Sequence, residues 1–583
     1  MKNIKNIQYY YKCIAMVVLL GSFSSCSDML VENPQSSLVP SFFREAQGIE
    51  SAVIALYSQT RGFMPGIAGG TDDMITTRAM SDTERAHDYY DAYLSPSNSP
   101  GSWSFSLINN CNGILEFGAV ATGITEARRT VLLAEAKFFR ALYYFRLVQS
   151  FGPVPLDLGQ GKLRFNDSPS TTSVRNPISE VYEAIIDDLE DAIVNLPINP
   201  AQQGRATQKV ALHLLSKVYL TRAYSDAKQT NDFAKAFEYA DALIANKATH
   251  GVDLLRDYGM VHSPSTDNDA NHPEVLMRLN YKPASTFGGS QSNSWLVTAG
   301  YENCMLDGIA VVRRSIPYQR PWRMYAPTPY VLFEAFADKN NDSRFDNSFR
   351  MVWICNNDNA TLRDQYGLHV GDPGILLYFD DSELAAYNPN IIKFKVSELF
   401  DENRIYKGPD VLYMYPNLVK FDDVANRVNQ DETCYRPIIL FRFAETYLLA
   451  AEALIGQNRK SDALPYINAV RTRAAYRPSL SADELAAAVT AMTITDPDLL
   501  DVDFILDERT REFYGEAPRW FELTRTGKLI ERVQKHNPHG GPNIKPHHVL
   551  RPIPQTQLDL MSDEDQKRGY QNPGYPGHPD YQP

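Results

Sequence analysis

Apolar residues recur at helical spacing in two widely separated parts of the chain. In the first, Leu132, Ala136, Phe139, Tyr143 and Leu147 fall at steps of four, three, four and four, which lays one apolar stripe along a helix over 125–150. Gly152 and Pro153 end it. Pro177 opens a second helix reaching to about residue 196. A third, over 206–224, carries Ala211, Leu214, Leu215, Val218 and Tyr219 on one face, and 232–245 pairs with it. Small residues such as Ala211, Ala223, Ala236 and Ala240 at the crowded positions predict tetratricopeptide-like hairpins. The pattern returns over 441–455, where Ala444, Tyr447, Leu448, Ala451, Leu454 and Ile455 keep the stripe, and 463–474 supplies the partner helix. Shorter helical stretches are expected over 45–61 and 107–117.

Between these parts the periodicity is lost. Residues 251–437 are rich in Pro, Gly, Asn, Asp and aromatics, with short strand-like pieces such as EVLMRL and IIKFKV, and residues 62–105 are similarly irregular. A rigid scaffold is what allows loops of this length to hold a site, so the reading is a mainly α protein. A helical-repeat part at about 126–247 and 438–535 supports an irregular, ligand-binding part at about 62–105 and 251–437 within one body over 41–583. From residue 537 onward Pro, Gly and His dominate, and the tail is expected to lie over the body as an extended strap.

The segment from Asp507 to Lys528, DERTREFYGEAPRWFELTRTGK, alternates charge at three- and four-residue spacing, placing Glu508 near Glu512 and Arg511, and Glu512 near Glu516. Phe513, Tyr514, Trp520, Phe521 and Leu523 interleave with the charges, so apolar flanks are expected to be buried around paired charges.

A net charge of -13 offers no basic stripe to displace phosphate counterions and excludes a nucleic-acid partner from the reading. At the N-terminus, Lys2, Lys5 and Lys12 precede an apolar run, Cys13 to Leu20, followed by small residues up to Cys26. That arrangement describes a secretory signal over 1–25, too short to span a bilayer. Cys26 stands at a lipobox-like cleavage point, and 26–40, with Pro34 and Pro40, reads as an extended tether. The remaining Cys111, Cys304, Cys355 and Cys434 have neither zinc-site spacing nor the density of a disulfide framework and are read as free thiols.

Several segments, in this order along the chain, resemble the SusD/RagB family of outer-membrane nutrient-binding lipoproteins. They are EAKFFRALYYFRLVQSFGPVPL, YEAIIDDLEDAIVNLP, GRATQKVALHLLSKVYL, MYPNLVKFDD, ILFRFAETYLLAAEAL, INAVRTRA, FILDERTREFYGEAPRWFELTRTGK and VLRPIPQTQ…YQNPGYP. The resemblance implies a SusD-like fold and a surface-exposed, lipid-anchored protein. It implies a lid on a SusC-like, TonB-dependent transporter of the outer membrane, which binds oligosaccharide and delivers it without covalent chemistry. Peptide capture of the RagB type is the alternative, and a glycoside hydrolase a third reading. In the family, Asp342 and Arg344 look like parts of a structural turn.

Aromatic residues in the irregular regions are the candidate glycan platforms: Trp103, Trp295, Tyr301, Trp322 and Tyr325, with Asp72, Asp73, Asn293 and Arg323 to read hydroxyls. For each tryptophan the competing reading is an anchor that holds its loop to the scaffold. The family often carries a tryptophan eleven residues before the position of Asn112; that place is Gly101 here, and Trp103 follows two residues later. Other chemistry finds little support. The Asp338, Asn340, Asp342 series lacks the glycine and the bidentate glutamate of a calcium loop, with Ser343 and Phe349 in those places. His536, His539, His547 and His548 lack metal-site spacing and read as a solvated loop, so no metal or cofactor is expected. Adjacent acids such as Asp72/Asp73, Asp187/Asp188 and Asp507/Glu508 point in different directions and do not make a hydrolase pair.

Overall fold

The computed structural model describes residues 40–582, apart from 64–68, 78–80, 169, 201, 264–271, 282–297, 408–413, 425–426, 428–434, 517 and 563–568. Cys26, the signal segment, the tether up to residue 39, Asn293, Trp295 and Cys434 lie outside the described residues.

After a single helical turn at Pro40–Phe43, in place of the extended tether end expected there, come α1 (Ala46–Phe63), α2 (Asp82–Tyr89), α3 (Ser106–Phe117) and α4 (Glu126–Phe151). The helix expected over 125–150 is α4. Thr125 caps it by accepting from the Arg128 N–H, and Gly152, at φ 71°, turns the chain out of it. Then α5 (Ile178–Asn195), α6 (Gln208–Ala223) and α7 (Asp232–Ala245) stack in order, each on the one before. The next members of the stack are α8 (Phe443–Gly456) and α9 (Lys460–Arg473). The array interrupted in sequence is therefore continuous in space, with α8 seated on α7. Gln457 donates to the Phe233 carbonyl at 3.2 Å, and Tyr466 donates to Asp241 at 2.6 Å. Helices α10 (Ala482–Met492), α11 (Val502–Phe513), α12 (Arg519–Arg525) and α13 (Leu529–His536) follow.

The irregular part holds short strands. Those of three residues or more are, in chain order, β1 (Met74–Thr76), β2 (Val275–Leu279), β3 (Tyr325–Pro327), β4 (Val352–Ile354), β5 (Pro373–Tyr378), β6 (Ile392–Lys395) and β7 (Ile438–Arg442). The strand-like EVLMRL and IIKFKV pieces are β2 and β6. Strand β1 pairs antiparallel with β3, and β2 pairs antiparallel with β7 just where the chain re-enters the helical array. Strand β5 lies between β4, antiparallel, and β6, parallel. Strands β1, β3, β4, β5 and β6 border a separate apolar core that includes Tyr301, Phe336, Trp353, Leu376 and Tyr415, whereas Leu276 and Met277 of β2 and Phe441 of β7 join the larger core of the helices.

Helix α11 differs from expectation in how deep its charges sit. Glu508 and Glu512 are wholly buried, as is Arg344. Arg344 donates to Glu508 at 2.7 Å and to Glu512 at 3.1 Å while its other nitrogens hold Asp342, so the Asp342 and Arg344 turn is clamped to α11. Arg442 joins Glu512 at 2.8 Å, Glu274 at 2.6 Å and Glu516 at 2.7 Å, and Arg473 joins Glu274 at 2.9 Å. Burying so many charges is tolerable only because each meets an opposite one with good geometry. The network ties the strands of the irregular part to the helical frame.

The histidine-rich tail is a second correction: it is not a solvated loop. His536 and His548 are buried, and His539 sits 2.7 Å from the Asp88 carboxylate and stacks on Tyr89. The strap itself is present. It crosses α4, where the Arg551 N–H donates to the Ser150 carbonyl at 2.7 Å, and Arg175 holds the carbonyl of Tyr570 and the side chain of Asn572. Cys111, Cys304 and Cys355 are free and buried. Among the described residues no helix is long and apolar enough to cross a membrane.

Candidate functional site

Where the irregular residues 69–101 meet the helical array, a cleft of about 390 Å³ opens. One wall is the turn before β1 with helix α2. Ser81 accepts from the Glu84 N–H while Glu84 reaches back to the Ser81 N–H, which fixes the start of α2. Gly70, at φ 86°, lets this turn touch α2, because a Cβ there would meet the His87 carbonyl oxygen at 1.9 Å. Asp88 of α2 accepts from the Thr76 N–H at 2.9 Å and so locks β1 to the helix. The opposite wall is Arg146 and Ser150 of α4 with Arg551 of the strap; Trp520 and Phe521 of α12 form the floor, and Tyr325 of β3 closes one end.

Gly101 also lines the cleft. A Cβ at this position would come within 2.4 Å of the Phe151 ring, so the backbone lies directly on that ring and no larger residue fits without a shift.

The structure spreads the sequence-derived candidates over different surroundings. Asp73 lines the cleft but is almost fully buried; it accepts from the Thr71 hydroxyl at 2.8 Å. Burial raises its carboxyl to about 6; Arg519 opposes the rise and the neighbouring Asp72 charge adds to it. Asp72 has a different place from the hydroxyl-reading one expected of it. It is wholly buried, gripped by Arg519 at 2.9 and 2.8 Å and by Arg532 at 2.6 Å, with every oxygen engaged by a guanidinium. Burial acts to raise it, yet these two arginines hold it well below the usual carboxylate range. Tyr301 is likewise fully buried, and its hydroxyl donates to the Gln319 carbonyl, so its ring offers no face to a ligand.

Trp103 is half-buried beside the cleft. Its indole N–H donates to Gln557 at 3.1 Å, and its ring meets Phe105, Phe151 and Tyr570 edge to face. Trp322 packs partly buried on the core of the irregular part with Arg320 over its ring at 4.6 Å, away from the cleft. Arg323 is buried and Trp295 lies outside the described residues. Of the candidates, then, Asp73 and Tyr325 are brought together in the cleft, with Trp103 behind its rim. Residues that the sequence reading did not single out, Arg146, Arg551 and His87, complete the lining. The one signal for Arg146 was a charge inside an otherwise apolar run, Ala141 to Val148.

The arrangement is an open cleft with mixed polar walls above two buried aromatic rings, carried on a helical-repeat scaffold. The chain belongs to the SusD/RagB family. A model described as "SusD family" matches residues 334–575, and one described as "Starch-binding associating with outer membrane" matches 32–220. It is 26% identical over 588 residues to the SusD-like protein P2 of Formosa agariphila, covering 96% of this chain and 99% of that one. It is 24% identical over 470 residues to the starch-binding protein SusD of Bacteroides thetaiotaomicron, covering 77% of this chain and 74% of that one. A solved SusD homolog from Bacteroides thetaiotaomicron superposes with a TM-score of 0.64 at 20% identity, over 90% of this chain and 96% of that one.

Proposed function

We propose that the protein is a glycan-binding lipoprotein of the outer-membrane surface that captures oligosaccharide and hands it to a SusC-like, TonB-dependent transporter without chemical change. The cleft carries this reading: an open volume walled by hydroxyls, a carboxyl and guanidiniums suits the hydroxyl edges of a sugar, with the buried rings of Trp520 and Phe521 beneath the guanidiniums. Family membership and the starch-binding name of one relative support it. Lipidation at Cys26 would hold the body at the membrane, with the following tether giving it reach.

Against a hydrolase stands the state of the acids. In the cleft, Asp73 is buried beside Arg519, and Glu516 is committed to Arg442 and Lys420, so neither stands opposite a second free carboxyl as acid and base or nucleophile would. Calorimetric titration of the detergent-solubilised full chain against panels of oligosaccharides and of mixed peptides tests the proposal. Saturable heat with a glycan class, no product on prolonged incubation and co-purification with a TonB-dependent barrel are expected. Heat from peptides alone would replace it with the RagB-type reading, and released sugar product would make the protein an enzyme.

A further inference from the structure

Arg146 and Arg551 stand in the cleft with no counter-charge. The Arg146 guanidinium lies over Phe521, 3.6 Å from the ring centre, and that of Arg551 over Trp520 at 4.0 Å. Among the described residues neither guanidinium makes an ion pair or a hydrogen bond, and Nη1 of Arg551, a residue only 5% exposed, is buried without a partner. Several buried arginines elsewhere behave differently: Arg344, Arg442, Arg473, Arg519 and Arg525 each meet at least one carboxylate within 3 Å. The acids of the cleft do not serve the pair. Asp73 faces Arg519 at 3.8 Å, Glu516 is held by Arg442 and Lys420, and Glu84 closes its own helix cap.

Two like charges beside each other in a desolvated wall are costly unless something negative joins them. Burial and the Arg551 charge both act to discharge Arg146, and burial with both arginines lowers His87 to about 3, leaving its imidazole neutral. Guanidiniums are the side chains best shaped to grip a planar or tetrahedral oxyanion, and the aromatic faces beneath hold these two in position.

We infer that Arg146 and Arg551 bind the anionic group of an acidic glycan, a sugar carboxylate or a sulfate ester, within this cleft. The inference rests on the reading of the cleft as a glycan site. The test is calorimetric titration of the detergent-solubilised full chain with trigalacturonate against its methyl ester, and with a sulfated galactose oligosaccharide against its desulfated form. At least one acidic sugar is expected to bind tenfold or more tighter than its neutral counterpart, and which one does so identifies the group. Arg146→Gln is expected to cut the affinity for the acidic sugar at least tenfold more than it cuts that for the neutral counterpart, and Arg146→Lys to retain part of the preference. Because Arg146 has no counter-charge to lose and gives up only its stacking on Phe521, the Gln variant should stay folded and melt within a few degrees of the parent protein in the absence of sugar. Equal binding of acidic and neutral forms, or equal losses for both in Arg146→Gln, overturns the inference while the glycan reading stands. Binding of no sugar at all overturns both.

Discussion

The Arg442 guanidinium donates to Glu512 across 2.8 Å with neither side chain reaching water, and the same nitrogen also holds Glu274 at 2.6 Å. Arg442 ends β7 as the chain returns to the helical array, Glu274 precedes β2, and Glu512 lies on α11, so one guanidinium binds three elements. Arg442→Met would leave Glu274, Glu512 and Glu516 one cation short, with Arg473, Arg344 and Lys420 still beside them, and removal of one partner from a buried charge cluster costs about 3 to 5 kcal/mol. Denaturant unfolding should show a loss of that size. Adding Glu512→Gln to the Met variant should recover part of it, because one uncompensated charge is removed.

The same network dictates behaviour in acid. Burial alone would raise Glu512, but Arg473, Arg442 and Arg344 hold it at about 2, below its ordinary 4.5. A carboxyl depressed in the folded state contributes stability that is complete above about pH 4.5 and is lost as pH falls towards 2. Unfolding curves between pH 2 and 5 should steepen accordingly, and Glu512→Gln should flatten them.

Asp73 runs the other way. Its carboxyl is raised to about 6 from 3.8, so the folded state binds the proton more tightly than the unfolded chain does. Its contribution is full below about pH 4 and disappears as pH rises through 6. Asp73→Asn keeps an acceptor for the Thr71 hydroxyl and removes the buried charge. The variant should therefore gain on the parent protein by about 2 to 3 kcal/mol between pH 4 and 7, from a shift of about two units at 1.36 kcal/mol each. Paired denaturant titrations across that range measure the gain; a constant difference at all pH values would assign Asp73 an ordinary, ionised state.

The helical array was legible because its signal is local: spacings such as Leu132, Ala136, Phe139, Tyr143 and Leu147 report the buried face of a helix whatever lies opposite. Even the rejoining of the array across the irregular part follows from the same stripe in α8. The cleft was far less legible. Asp72 and Asp73 are neighbours in the chain with opposite fates, one fixed by Arg519 and Arg532, 447 and 460 residues further on, and the other left half-compensated. Glu508 and Glu512 showed the spacing of a helix face but not that their partners are Arg344, Arg442 and Arg473 from three other segments. Tyr301 illustrates the limit for aromatics: a tyrosine in a Gly- and Asn-rich stretch reads as a loop platform, whereas here the stretch folds over its own core.

Gly456 closes the seam between α7 and α8. A Cβ on it would approach the Phe233 ring to 2.4 Å, so Gly456→Ala forces that ring aside. Overpacking of this kind costs roughly 1 to 3 kcal/mol. Phe233→Leu in the Ala background should restore much of the loss, and thermal melting of the two single variants and the double variant measures it.

Trp103 separates the two readings of a loop tryptophan. Its indole N–H reaches Gln557, and its ring packs against Phe151 of α4 and Tyr570 of the strap. If it is an anchor, Trp103→Ala loosens the strap. A loss of roughly 2 to 4 kcal/mol is expected, below the full value for a buried aromatic because the ring is only half-buried. Proteolysis within 550–582 should become faster, and oligosaccharide affinity should stay within twofold. Trp103→Phe should keep the edge-to-face contacts and lose only the hydrogen bond, with a drop of about 1 kcal/mol. A fall in sugar affinity at unchanged melting temperature would instead make Trp103 a stacking platform, and the cleft would then have to extend over the rim at Gly101 to reach it.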